Sequence, residues 1–151
     1  MINRKPKIDG VLITPIKIIP VLGGDVLHGL KLDDPGFSGF GEAYFSTIDT
    51  GVIKAWKRHR EMTMNLIVPI GAIRFVICDE YSSNSSKPYC QEVVLSTENY
   101  CCLTVPPMVW MGFEGVGHQL NMLLNVANIQ HRADETDKLA INKINFDWKS
   151  K

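Results

Sequence analysis

With 151 residues, 45% hydrophobic and 21% charged, the chain suits one globular domain whose core is large enough to need neither disulfide nor metal. Its 16 Lys and Arg balance its 16 Asp and Glu, so no net basic field recruits a phosphate polymer and nucleic acid is not an expected partner, although a few local cations could hold a small diphosphate. Arg4, Lys5 and Lys7 are followed by no apolar signal core, and the run over 11–22 is interrupted by Thr14, Pro15, Lys17 and Pro20; neither a signal peptide nor a membrane span is expected, and the expected compartment is the cytoplasm.

Strand signals dominate in chain order. Residues 11–19 are β-branched and too proline-marked for a helix. Gly23-Gly24 turns the chain into a strand over 25–32, and Asp33-Asp34-Pro35-Gly36 is a strong turn. Strands follow over 43–47, 52–59, 65–68 and 72–78, with turns at Asp49-Thr50-Gly51 and Pro69-Ile70-Gly71. Residues 82–88 read as a polar loop, and strands over 93–95, 101–105, 109–113 and 120–126 complete the set. Short strands every eight to twelve residues or so indicate an all-β sandwich or barrel. The expected organisation is a single domain over 1–151, with a barrel over about 8–133 and a tail over 134–151 packed along its outside. One or two helical turns are expected near 134–139.

The four cysteines are Cys78, Cys90, Cys101 and Cys102. They form no CxxC pair, and adjacent residues on a strand point to opposite faces. Reduced, mostly buried thiols are therefore expected rather than a disulfide or a zinc site.

The segment 51–62 carries the chemistry. Regular alternation puts Ile53, Ala55, Lys57 and His59 on one strand face and Lys54, Trp56 and Arg58 on the other. On the inner wall of a barrel, Lys57 and His59 would form an acid/base pair in a partly dry pocket. Histidine titrates nearest neutrality, and an adjacent ammonium keeps it unprotonated and basic. Burial lowers the proton affinity of the lysine, which could stabilise an enolate oxygen. The same two residues also read as a satisfied core histidine and a surface lysine.

The stretches 51–59 and 66–71 resemble two related cupin groups, the dTDP-4-dehydrorhamnose 3,5-epimerases and the dTDP-sugar 3,4-ketoisomerases. The similarity extends to Gly71-Ala72-Ile73-Arg74-Phe75-Val76, Val105-Pro106-Pro107-Met108-Val109-Trp110 and Leu123-Leu124-Asn125-Val126-Ala127-Asn128. It implies a double-stranded β-helix, the cupin jelly roll, assembled as a homodimer in which early strands are exchanged. The epimerases begin this strand G-V-L-R-G-L-H, and their basic histidine falls on Lys57; their late tyrosine falls on Leu124 and another histidine on Met111. The ketoisomerases carry R-G-x-H-x-H-K, whose histidines fall on Lys57 and His59. Their G-S-x-R-V arginine corresponds to Arg74, and a tyrosine of the preceding strand to Tyr44.

The resemblance implies an epimerase or isomerase of a nucleotide-activated 4-keto-6-deoxyhexose, working by proton abstraction alpha to the ketone. In that assignment His59 is the base, Lys57 polarises the carbonyl or enolate oxygen, and Tyr44 returns the proton. Arg74 would contact the diphosphate or sugar oxygens, with Lys54, Asn65 and Asn125 as further substrate contacts. A non-catalytic cupin that binds a sugar nucleotide, and a lyase acting on a similar ketosugar, are the alternatives.

No metal or cofactor is expected. Metal-binding cupins place two histidines on this strand and another on a later one, where this chain has Lys57 and Met111, leaving only His59 and Glu61. His28 is assigned to a dimer edge, His118 to a solvated loop, and His131 with Arg132 to a phosphate contact. Tyr44, Phe75, Trp110 and Phe113 are candidates for stacking on a base, though aromatics on such strands more often pack the core.

Overall fold

The structure, a computed structural model, describes residues 8–79 and 88–150. Twelve strands follow in order: β1 (Leu12–Pro15), β2 (Ile18–Ile19), β3 (Val26–Leu27), β4 (Glu42–Ile48), β5 (Ile53–His59), β6 (Met64–Ile70), β7 (Ala72–Asp79), β8 (Tyr89–Ser96), β9 (Cys101–Val105), β10 (Trp110–Gly115), β11 (Asn121–Ala127) and β12 (Thr136–Lys138). Two five-stranded sheets form, β1-β9-β6-β11-β4 and β12-β5-β10-β7-β8, with a separate β2-β3 ribbon. All strand pairs are antiparallel. This is the expected jelly roll, and among the described residues no helix is long and apolar enough to cross a membrane.

Three apolar layers explain why several strands read as continuous hydrophobic runs rather than alternating ones. Leu66, Val68, Ile73, Phe75, Ile77, Leu95 and Leu103 fill the space between the sheets. Outside the first sheet, Ile67, Tyr100 and Cys102 are covered by Ile16, Ile18 and Leu27. Outside the second, Trp56, Val76, Cys78 and Trp110 are covered by Ile144 and Trp148. Both faces of β7 and β9 are thus buried, as their composition requires.

The β6–β7 turn needs its glycine. Gly71 has φ +79°, and a Cβ there would lie 2.4 Å from both Asn121 Oδ1 and the Leu120 carbonyl oxygen.

Several boundaries differ from the sequence reading. The strand over 11–19 divides into β1 and β2, the strand over 25–32 shrinks to Val26–Leu27, and that over 93–95 lengthens to Tyr89–Ser96. The helical turns at 134–139 are instead a 3₁₀ turn, Ala133–Glu135, running into β12. The segment around Arg4, Lys5 and Lys7, and the polar loop over 82–87, lie outside the described residues.

The expectation of four reduced thiols fails for one pair. Cys78 and Cys90 face each other across β7 and β8, with Cα atoms 4.1 Å apart, and form a disulfide. Direct cross-strand opposition, invisible in the spacing of the cysteines, brings their sulfurs together. Cys101 and Cys102 remain free and buried; burial pushes the Cys102 thiol up to about 12, so it is not a nucleophile. The Cys78–Cys90 bond closes a short loop on the outer layer, away from the space between the sheets. Reducing it, or replacing both cysteines by alanine, should lower unfolding stability by about 3 kcal/mol, read as a shifted denaturation midpoint. An unchanged midpoint in reductant would contradict the pairing.

Candidate active site

A cavity of about 330 Å³ opens between the sheets, at the lower end of the range for small-molecule sites. Met64, Leu66, Met111, Phe113 and Leu123 form its apolar surface, and Tyr44, Lys54, Lys57, His59 and Lys138 its polar one.

The faces of β5 are not those of a regular strand. Against β10, Lys57 pairs with Met111 and Lys54 with Phe113, so Ala55 and Trp56 together oppose Gly112. This bulge shifts the alternation by one residue. Lys54, Lys57 and His59 face the cavity, while Ala55 and Trp56, which also border it, pack into the outer layer with Trp110 and Trp148. A side chain at Gly112 has no room, since a Cβ would lie 2.6 Å from that of Ala55 and 2.9 Å from the Trp148 ring. The assignment of Ile53 and Ala55 to the same face as Lys57 and His59 is therefore corrected, and Lys54 changes sides with them.

His59 is 4% exposed and is held by a residue that the sequence did not reveal. Its Nδ1 contacts Glu135 Oε1, and Glu135 is itself 2% exposed. The other carboxylate oxygen accepts from the backbone N–H groups of Glu61 at 3.1 Å and Met62 at 3.2 Å. Glu135 reaches this position because β12 pairs with β5, setting Thr136 opposite His59, Asp137 opposite Arg58 and Lys138 opposite Lys57. Asp137 fastens the pairing through Arg58 at 2.8 Å and Arg60 at 2.5 Å. Those guanidiniums pull its carboxyl down to about 2.

The pair has a definite protonation state. Burial pushes the Glu135 carboxyl up, but its hydrogen bond to His59 and the backbone N–H groups beside it, among them that of Met62, hold it below the ordinary range. Burial lowers the proton affinity of His59 further than Glu135 raises it, and Lys57 and His131 add to the lowering. A carboxylate only accepts, so Nδ1 carries the proton and donates to Glu135, leaving the Nε2 lone pair as the basic site. The acid limb of kcat/KM should accordingly lie below the ordinary imidazole value of 6.5. Stability follows the same sign. The unfolded chain binds the His59 proton first, so stability declines as pH falls below about 6.5 and declines further as Glu135 protonates at still lower pH. Rate profiles and denaturation midpoints across that window check both.

Tyr44 stands on the opposite sheet and receives a hydrogen bond from Asn125 Nδ2 at 2.9 Å. Asn125 is buried behind Tyr44 and does not line the cavity, so its assignment as a substrate contact becomes one of support. With its oxygen already accepting, the phenol can direct its own O–H elsewhere. Asn125→Ala should lower kcat about fivefold, the worth of one hydrogen bond of about 1 kcal/mol, with little change in KM. An effect confined to KM would argue instead for a direct substrate contact.

Two other sequence candidates are not brought to the cavity. Arg74 lies on the outer face of the second sheet, its side chain 7% exposed. It bonds Glu92 Oε2 at 2.8 Å, Glu114 Oε2 at 3.3 Å and the carbonyl oxygens of Trp148 and Ser150 at 2.9 and 3.0 Å. Its donors fasten the tail and leave none for a diphosphate. Asn65 faces outward from the first sheet, donating to the Gly36 carbonyl at 2.9 Å and accepting from Thr104 Oγ1 at 2.6 Å. It pins a loop. Neighbours in sequence point to opposite faces of a strand, and both residues fall on the covered one.

Glu61, the carboxylate nearest His59 in sequence, turns outward and pairs with Arg132. Of the stacking candidates, Tyr44 and Phe113 reach the cavity, whereas Phe75 is core and Trp110 lies under Arg58, 4.6 Å from the ring centre. His118 is exposed, and the His28 carbonyl accepts from the Tyr100 hydroxyl. Among the described residues no group of three His, Cys, Asp or Glu could hold a metal.

The jelly roll thus holds a carboxylate-oriented histidine in a cavity of about 330 Å³ between its sheets. No family model matches the chain. Comparison with solved structures finds a dTDP-sugar isomerase of Desulfovibrio desulfuricans, 38% identical, covering 93% of this chain and 91% of the other at a TM-score of 0.86. The chain belongs to this dTDP-sugar isomerase family. A dTDP-4-dehydrorhamnose 3,5-epimerase of Sulfolobus tokodaii shares the fold at 20% identity, with 97% of this chain and 85% of the other covered and a TM-score of 0.78. A probable low-salt glycan biosynthesis epimerase of Haloferax volcanii is 25% identical over 97 residues, which is 64% of this chain and 62% of that protein's length.

Proposed function

We propose that the protein is an epimerase or isomerase of a nucleotide-activated 4-keto-6-deoxyhexose, acting in deoxysugar or surface-polysaccharide biosynthesis. The observation that carries this reading is the neutral His59, oriented by buried Glu135 and facing a cavity it shares with Lys57. His59 removes the proton alpha to the ketone, Lys57 withdraws electron density from the carbonyl, and Tyr44 returns the proton. Base and donor stand on opposite sheets, which supports inversion at a carbon beside the ketone. The cavity suits a monosaccharide, so the nucleotide extends across its mouth past Lys54 and Lys138. The 38%-identical dTDP-sugar isomerase supports dTDP as the carrier. A cytoplasmic homodimer belongs to the same reading.

Incubation with a dTDP-4-keto-6-deoxyhexose in heavy water tests it. Deuterium at C3 or C5 is expected. Tight binding without exchange would favour a binding protein, and loss of water from the sugar a lyase; either overturns the isomerase.

A further inference from the structure

We propose that Lys57 acts covalently, joining the C4 carbonyl of the ketosugar as an imine before His59 takes the alpha proton. This rests on the function proposed above and assigns a bond where that reading requires only polarisation.

The placement of Lys57 carries the argument. Its side chain faces the cavity two positions from His59 on the same side of β5. Among the described residues it has no hydrogen bond or ion pair to hold its charge. The nearest carboxylate, Glu135, is already occupied by His59 and two backbone N–H groups. Directly across the β5–β12 pairing stands Lys138, which lines the same cavity. Lys54 borders it as well, so three ammonium groups face one small space whose other walls include Met111, Phe113 and Leu66.

Burial, and next the charge of Lys138, push the proton affinity of Lys57 below that of an ordinary lysine, against a smaller pull from Glu135. A partly desolvated lysine beside a second cation releases its nucleophilic amine more readily than an ordinary one. Lys54 lacks it, being exposed and hydrogen-bonded to the Thr47 carbonyl oxygen at 3.4 Å.

The steps balance without an added reagent. The Lys57 amine adds to C4, forming a C–N bond. The resulting carbinolamine loses its oxygen as water, taking one proton, and leaves an iminium ion. That cation is a stronger electron sink than the ketone, so the hydrogen on C3 or C5 is more acidic. His59 Nε2 takes it to give an enamine, Tyr44 returns a proton to the carbon, and water hydrolyses the iminium to ketone and free amine.

Cyanoborohydride reduces iminium ions in preference to ketones. The wild-type protein incubated with a dTDP-4-keto-6-deoxyhexose and this reagent should gain one sugar nucleotide, mapped by peptide mass spectrometry to Lys57. In oxygen-18 water the C4 oxygen should exchange at an enzyme-dependent rate. Lys57→Arg, which keeps the charge but forms no imine, should reduce that exchange to the rate without enzyme. Deuterium entry at C3 or C5 with neither trapping nor oxygen exchange would overturn the imine and leave the proposed function standing. Trapping at Lys54 or Lys138 would also overturn it. Absence of deuterium entry, adduct and oxygen exchange together would remove the isomerase reading and the imine with it.

Discussion

Replacing His59 with asparagine is expected to reduce turnover by about 100- to 10,000-fold, the range in which a positioned general base contributes. Asparagine nearly matches imidazole in size at its inner end and can still place a polar group toward Glu135. It has no lone pair with basicity near neutrality, so only the proton transfer is lost. Folding should be retained, because His59 sits at the end of β5 and is not part of the apolar layer between the sheets. The measurements are steady-state turnover, solvent-deuterium entry into the sugar, and thermal unfolding. A folded variant with wild-type turnover would show that another group takes the proton.

Replacing Glu135 with alanine should damage stability and activity together. It removes the acceptor for His59 Nδ1 and for the backbone N–H groups of Glu61 and Met62, all at the buried end of β5. Each buried donor left without a partner costs about 1–3 kcal/mol, although water entering the vacated space would recover part of this. Turnover should fall about 100-fold or more, since the imidazole loses both its orientation and its preferred tautomer. Glu135→Gln separates the two effects. The amide oxygen still accepts, so much of the stability should return, but the charge favouring the Nδ1–H tautomer is gone. Equal turnover in Glu135→Gln and the wild type would reduce Glu135 to a packing role.

The strands and the all-β class were legible because β-branched runs punctuated by glycine and proline turns leave little room for helices, whereas the jelly roll was implied by the resemblance of residues 51–59 and 66–71. The side-chain faces of β5 were harder to read. Period-two alternation holds only while strands stay in register, and the bulge opposite Gly112 breaks it between Lys54 and Lys57. His59 and Lys57 lie on one side of that break, so their relation survived, whereas Lys54 did not keep its assigned face. Arg74 was selected because it matches the arginine of the ketoisomerase strand, and Asn65 as a further substrate contact, yet here their side chains bond the tail and a loop. Glu135 was out of reach for another reason. It lies 76 residues from His59, inside a polar stretch whose pairing with β5 has no local sequence signal. The Cys78–Cys90 bond was missed in the same way, because opposition across two strands is a property of register, not of spacing.

The order in which the chain is made gives β12 a further meaning. Among the described residues every strand of both sheets except β12 precedes Ala133, whereas the carboxylate beside His59 and the cation opposite Lys57 both arrive with residues 135–138. Asp137 then clamps that short strand, and Trp148 and Ser150 anchor the stretch beyond it on Arg74. During synthesis a nearly complete barrel can emerge while its histidine is still unaligned. In the proposed mechanism the alignment of the base thus waits on β12, which is translated after the other described strands of both sheets.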